Sequence, residues 1–282
     1  LPSMKYGLFA DPTLVSTRRI AGLAEIRAEG GGLSIGAGVT LRELQRDPRV
    51  RAHYPALAEA AATVATPTLQ AMGTLGGNIC LDTRCLWYNQ SDFWRGSLGG
   101  CLKCVGDVCH VAPRGDGCYA AHSADTVPVL QLFDARVEVV SVRGTRQIAL
   151  SELYDVDGRT WLRLERDELL TRVLLPAPPD AWVGYRKLRA RGAIDYPLLL
   201  TATRVDLSGG KPSGGRIVVS AVGPKPVEID DVSALLATSD WREAAEVAYK
   251  QAFPLATHTW SSTWRKKMVR VEVRRALEAA AG

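Results

Sequence analysis

Residues 72–80 read Met72-Gly-Thr-Leu-Gly-Gly-Asn-Ile-Cys80, and the organisation of the chain turns on what those three glycines are for. Neither a helical nor a strand period runs through them, and glycine at this density lets backbone come closer to a neighbour than a Cβ would allow. The stretch therefore reads as a loop held against something. Upstream, Tyr54-Pro-Ala-Leu-Ala-Glu-Ala-Ala-Ala-Thr-Val-Ala-Thr66 is rich in alanine, which predicts a helix that opens near Pro55 and stops at Pro67. Further upstream, Leu33-Ser-Ile-Gly-Ala-Gly38 alternates like a short strand, and Thr40-Leu-Arg-Glu43 is a capping box that opens another helix.

Downstream, residues 82–122 carry no sustained period, although Trp87, Tyr88, Phe93 and Trp94 give them local apolar mass. A loop of that length is uncommon in a compact domain unless a site organises it. All six cysteines, at 80, 85, 101, 104, 109 and 118, fall in or beside it. Disulfides usually staple small, core-poor secreted folds, whereas this chain is long enough for a core of its own and shows no secretion signal. Reduced, metal-bound thiols fit better. Cys101 and Cys104 form half of a zinc knuckle whose other half is missing, while an iron-sulfur cluster takes four thiolates at wide spacings. The pattern leaves open both the metal and the choice of four cysteines among six. His110 and His122 read as loop residues outside the metal site.

Residues 134–142 and 145–150 predict a hairpin about Arg143-Gly144, and residues 168–175 another strand. Pro176-Ala-Pro-Pro179 is the best linker in the sequence. Beyond it, strands at 196–207 and 216–222 flank a flexible loop at 208–215, and helices at 240–252 and 261–281 close the chain. The cluster Arg265, Lys266, Lys267, Arg270, Arg274 and Arg275 is expected on a polar face of the last helix. The expected class is α+β, in two parts divided at about residue 178.

Composition narrows the function. The chain has 282 residues, 46% hydrophobic and 23% charged, the usage of a folded protein. Its net charge is only +5, and aromatic residues do not interleave with basic ones, so nucleic-acid binding has only weak support. No apolar run approaches the roughly 18 residues of a membrane span, and no leader is evident, so a cytoplasmic location is expected.

The run Gly73-Thr-Leu-Gly-Gly-Asn-Ile-Cys-Leu-Asp-Thr-Arg-Cys-Leu-Trp-Tyr-Asn-Gln-Ser91, with Gly106-Asp-Val-Cys-His110 and Cys118-Tyr-Ala-Ala121, closely resembles the flavin-binding subunits of the xanthine dehydrogenase and carbon monoxide dehydrogenase family. Within that family it is most similar to the beta subunits of 4-hydroxybenzoyl-CoA reductases, which carry a loop for an extra 4Fe-4S cluster. The resemblance covers nearly the whole chain, from Leu1-Pro-Ser-Met-Lys5 to Trp264-Arg-Lys-Lys267. It implies an FAD-binding domain over 1–178, with the cluster loop at 82–122, and a smaller C-terminal domain over 179–282. The implied cofactors are FAD and one 4Fe-4S cluster.

Carried over residue by residue, the resemblance puts the cluster on Cys85, Cys101, Cys109 and Cys118 and leaves out Cys80 and Cys104. It puts the flavin on Thr74, Leu75, Gly76, Gly77 and Asn78, with further contacts at Asp125, at the backbone of Leu170 and at Lys187. No catalytic residue is implied. The implied partners are a ferredoxin-like electron donor, a 2Fe-2S small subunit and a molybdenum-cofactor large subunit, assembled as a dimer of heterotrimers. By the same resemblance, the large subunit is expected to remove the phenolic hydroxyl of 4-hydroxybenzoyl-CoA in aromatic degradation. Family members usually begin with a further strand and helix ending in a glycine-rich pyrophosphate turn, so this sequence, which opens on Leu1-Pro2, is expected to be shortened at its start. Two rival readings are an FAD subunit of another molybdenum hydroxylase, acting on an aldehyde or N-heterocycle, and a zinc-stapled binding protein without redox chemistry.

Overall fold

The computed structural model describes Met4 and residues 13–257 and 260–281. The resemblance at Leu1 to Lys5, Met4 aside, and the expected shortening of the start lie outside the described residues. A hairpin of β1 (Ile26–Glu29) and β2 (Gly32–Gly36) is followed by five short helices: α1 (Leu41–Arg46), α2 (Pro48–His53), α3 (Pro55–Ala62), α4 (Pro67–Gln70) and α5 (Leu75–Ile79). The predicted capping box opens α1: the Thr40 hydroxyl accepts from the Glu43 N–H, and the Glu43 carboxylate accepts from the Thr40 N–H at 2.9 Å.

Helices α2, α3 and α4 each carry a proline in the first turn, where its missing N–H is not needed. This corrects the reading of the alanine-rich stretch. Its helix ends at Ala62, Ala65 takes a φ of 44°, and Pro67 starts α4 rather than stopping α3. The glycine stretch is not a loop throughout either, because the Thr74 hydroxyl accepts from the Gly77 N–H at 3.1 Å and caps α5.

Residues 82–122 hold a single helix, α6 (Asp92–Ser97). Their neck is closed by Arg84 and Ala121, which exchange two backbone hydrogen bonds of 2.9 Å as an antiparallel bridge. Then come α7 (Val127–Leu132), β3 (Arg136–Ser141), β4 (Gly144–Ala149) and β5 (Leu169–Leu175). The first sheet is antiparallel throughout, in the order β1-β2-β5-β3-β4.

A second antiparallel sheet follows the proline linker: β6 (Ala181–Leu188), β7 (Leu199–Ser208), β8 (Lys211–Ser220) and β9 (Val227–Glu228), paired in that order. The sequence reading missed β6, and it made the β7–β8 loop too long. Only Gly209 and Gly210 form the turn, with φ of 58° and 74°, and β8 continues from Pro212 to Gly215 across a register shift opposite Asp206 and Leu207. A Cβ on Gly215 would stand 2.1 Å from the Arg204 carbonyl oxygen, so glycine there serves a paired strand and not a flexible loop. The chain closes with α8 (Ser233–Ala237), α9 (Trp241–Gln251) and α10 (Ser262–Ala281).

The larger core lies between the first sheet and helices α1, α3, α5 and α7, and it takes in Tyr185, Leu200, Ala202 and Val218 from the second sheet. A smaller core fills the space between the second sheet and α8, α9 and α10. Arg265 departs from its expected polar face. It is buried and donates to the carbonyls of Leu198, at 3.1 Å, and Ala221, at 2.8 Å. Among the described residues no helix is long and apolar enough to cross a membrane.

Candidate functional site

Cys85, Cys101, Cys109 and Cys118 line one cavity, together with Trp87, Tyr88, Lys103 and His110. Cys80, at the end of α5, and Cys104, at the far side of a tight turn, do not line it. The loop reaches this arrangement through backbone bonds rather than regular structure. Cys101 and Cys104 exchange N–H to carbonyl bonds of 3.0 and 2.7 Å, and Gly100 donates to the Arg95 carbonyl at 2.9 Å. Arg95 is itself buried and donates to the carbonyls of Tyr88, at 3.1 Å, and Gln90, at 2.5 Å. Gly158 donates its N–H to the Cys118 carbonyl at 2.7 Å, and a Cβ there would lie 3.0 Å from the Cys118 Sγ. His110 shares a 2.7 Å hydrogen bond with the Gly100 carbonyl and packs, tilted by 34°, against Trp87 with ring centroids 5.2 Å apart.

Burial pushes the Cys118 thiol up to about 11, against the pull of the Ala120 N–H and the Lys103 ammonium. Burial raises Cys85 as well, with the Tyr88 N–H pulling the other way. Thiols in such a setting keep their protons until a metal displaces them. Four sulfurs on one cavity match the donor set of a 4Fe-4S cluster. Among the described residues no group of three His, Cys, Asp or Glu side chains converges closely enough to hold a single metal ion.

The glycine stretch sits against the end of the first sheet. Gly76 donates to the Ala37 carbonyl and Ala37 donates to the Thr171 carbonyl, both at 2.8 Å, which brings α5 beside Leu170. Gly76 is buried, and a Cβ on it would meet the Ala37 Cβ at 2.7 Å. Gly77 is exposed, and a Cβ on it would meet only the Thr74 hydroxyl, at 3.1 Å. The two neighbouring glycines thus serve different ends: Gly76 admits the sheet, and Gly77 leaves the outer face of the turn bare. Asn78 is turned inward and accepts from the Thr126 hydroxyl at 2.7 Å.

Thr126 adjoins Asp125, and here the structure joins two predicted residues far apart in sequence. Lys187 on β6 lies 2.7 Å from the Asp125 carboxylate and donates to the Thr63 carbonyl at 2.9 Å. The Tyr185 and Thr63 hydroxyls donate to the same carboxylate oxygen at 3.2 and 3.4 Å. Burial raises the Asp125 pKa, with the Lys187 ammonium opposing it. Leu170 is buried within β5 and pairs there with Val139 on β3.

A buried ring pair connects the two regions. The Tyr154 hydroxyl donates to the Ile79 carbonyl at 3.0 Å, His122 Nε2 lies 3.3 Å from the same oxygen, and the two rings meet at a 46° tilt with centroids 4.6 Å apart. The end of α5 therefore meets the neck of the cysteine loop. Sequence reasoning missed Tyr154, Tyr185 and Lys103. For Lys103 one signal was present, a cation placed between two cysteines of an otherwise irregular loop.

Comparison with known proteins gives the family. Residues 1–178 match the model described as the FAD binding domain in molybdopterin dehydrogenase. The aldehyde oxidoreductase FAD-binding subunit PaoB of Escherichia coli (strain K12) is 31% identical over 84% of this chain and 74% of its own length. The carbon monoxide dehydrogenase medium chain of Afipia carboxidovorans (strain ATCC 49405 / DSM 1227 / KCTC 32145 / OM5) is 27% identical over 99% of this chain and 85% of its own. Among solved structures, a chain of the Cu,Mo-CO dehydrogenase in its cyanide-inactivated form superposes with a TM-score of 0.77 at 26% identity, covering 99% of this chain and 86% of that one.

Proposed function

This chain belongs to the family of FAD-binding domains in molybdopterin dehydrogenases, and from that premise we propose that it is the electron-transferring subunit of a molybdenum-containing reductase of the 4-hydroxybenzoyl-CoA reductase type. Residues 1–178 form its flavin-binding part and residues 179–282 its second domain. Thr74, Leu75, Gly76, Gly77 and Asn78 cradle FAD, with Asp125, the Leu170 backbone and Lys187 close by. Cys85, Cys101, Cys109 and Cys118 hold a 4Fe-4S cluster. Once bound, these groups supply the redox chemistry that links a ferredoxin-like donor to a 2Fe-2S small subunit and a molybdenum-cofactor large subunit. This chain buries the Cys101, Cys109 and Cys118 thiols and partly covers that of Cys85, and none of its residues need touch the organic substrate.

The observation that carries this reading is the division of the cysteines: four share one cavity and two stand outside it. The test is anaerobic purification of the chain, with iron, acid-labile sulfide and flavin counted per chain and the visible spectrum recorded. Iron and sulfide in equal amounts support the cluster, and a colourless protein that holds zinc overturns it.

A second reading keeps the same cofactors with another substrate, and the name of the aldehyde oxidoreductase subunit PaoB favours it. Co-expression with the two partner subunits separates the readings. Reduction of 4-hydroxybenzoyl-CoA by the assembled complex supports the first, and oxidation of an aldehyde with no action on the thioester supports the second.

A further inference from the structure

We propose that Lys103 is the charge that sets the reduction potential of the centre held by the four cysteines, an inference that rests on the 4Fe-4S reading above. Its side chain is only 7% exposed, yet it lines the cysteine cavity as one of its few charged groups. A buried ammonium has three protons to satisfy. Lys103 donates them to the Asp82 carboxylate at 2.6 Å, the Thr83 hydroxyl at 2.5 Å and the Gly158 carbonyl at 2.6 Å. All three partners are oxygens, so no proton remains for a sulfur. Lys103 therefore acts on the cavity through charge, whereas the Tyr88 N–H, 3.3 Å from the Cys85 Sγ, acts through a hydrogen bond.

Asp82, the carboxylate that holds Lys103, is shared, since Arg84 Nε lies 3.6 Å from its other oxygen. The nearby Asp157 is already paired with Arg159 at 2.9 Å. The ammonium also lies 5.2 Å from the Tyr88 ring centroid and 4.6 Å from that of Trp161, with aromatic faces rather than water around it. In such surroundings a charge is weakly screened. A centre bound by four thiolates is anionic and becomes more so on reduction, so a fixed cation beside it favours the reduced form and raises its potential.

A purely structural role for Lys103 makes a different prediction, because loss of a brace lowers how much cluster is bound without moving the potential of what remains. The full chain is purified anaerobically as wild type, Lys103→Met, Lys103→Arg and Asp82→Asn. Iron and sulfide are counted, and each protein is titrated potentiometrically by low-temperature electron paramagnetic resonance. The expected result is a lower midpoint in Lys103→Met, a midpoint near wild type in Lys103→Arg, and a higher one in Asp82→Asn. Full iron with an unmoved midpoint in Lys103→Met overturns the inference and leaves the cluster reading intact. Absence of iron from the wild type overturns the cluster reading and this inference with it. Should Lys103→Met fail to retain iron, Asp82→Asn decides, and an unmoved midpoint there overturns the inference.

Discussion

Lys187 and Asp125 meet at 2.7 Å with side chains only 3% and 5% exposed, one on the second sheet and the other just before α7. Removing one partner of a buried pair leaves an uncompensated charge, at a cost of about 3 to 5 kcal/mol. Lys187→Met is expected to lower the urea midpoint accordingly, and adding Asp125→Asn should recover part of the loss. An unchanged midpoint in the single variant would mean that the pair adds nothing to stability.

The cysteine assignment divides six variants into two groups. Serine at 85, 101, 109 or 118 should remove the brown absorbance and most of the iron, while Cys80→Ser and Cys104→Ser keep both. Loss in Cys104→Ser together with retention in Cys109→Ser contradicts the assignment.

The two neighbouring glycines should also separate. Gly76→Ala drives a Cβ to 2.7 Å from Ala37 Cβ and 2.9 Å from its carbonyl, so the fold itself loses about 1 to 3 kcal/mol, read by thermal unfolding. Gly77→Val fills the outer face of the turn and presses only on the Thr74 hydroxyl, 3.1 Å from its Cβ. It is expected to abolish flavin retention, measured after gel filtration, with iron content unchanged; equal loss of both would show an unfolded domain instead.

How much of this was legible beforehand depended on local chemistry. The Thr40–Glu43 capping box and the β3–β4 hairpin are written in a few adjacent residues, and both formed as read. The strand β6 was missed because its burial is set by what lies on either side of it, the larger core on one face and α10 on the other, neither of which adjoins it in sequence. Pro67 was misread because proline both ends one helix and suits the first turn of the next. The site shows the same division. The glycines of α5 announce a close approach, but the meeting of Asp125 with Lys187 exists only once the second sheet has docked. The three oxygens that hold Lys103 come from two segments separated by some seventy-five residues.

His122 supplies a test of pH dependence. Burial holds its pKa down to about 4, from 6.5, with the Ile79 carbonyl opposing that shift. Below pH 6.5 the unfolded chain takes up the proton and the folded chain does not, so the stability present above 6.5 drains away as the pH falls and levels off below about 4. At 1.36 kcal/mol per pH unit the loss is about 3 kcal/mol. Urea midpoints measured between pH 7 and pH 4 should fall more steeply in the wild type than in His122→Phe. Parallel curves would mean that His122 is not the group responsible.

The bridge between Arg84 and Ala121 has a bearing on ancestry. Residues 85–120 depart from and return to neighbouring points of backbone, so the framework around them is complete without them. A segment attached in that way is an appendage: its gain or loss at a single position leaves strand order, helix packing and the α5 turn as they were, because closing the gap needs only a short turn. Selection on such an appendage then falls on the framework atoms that grip it, among them those of Asp82, Thr83, Asp157 and Gly158.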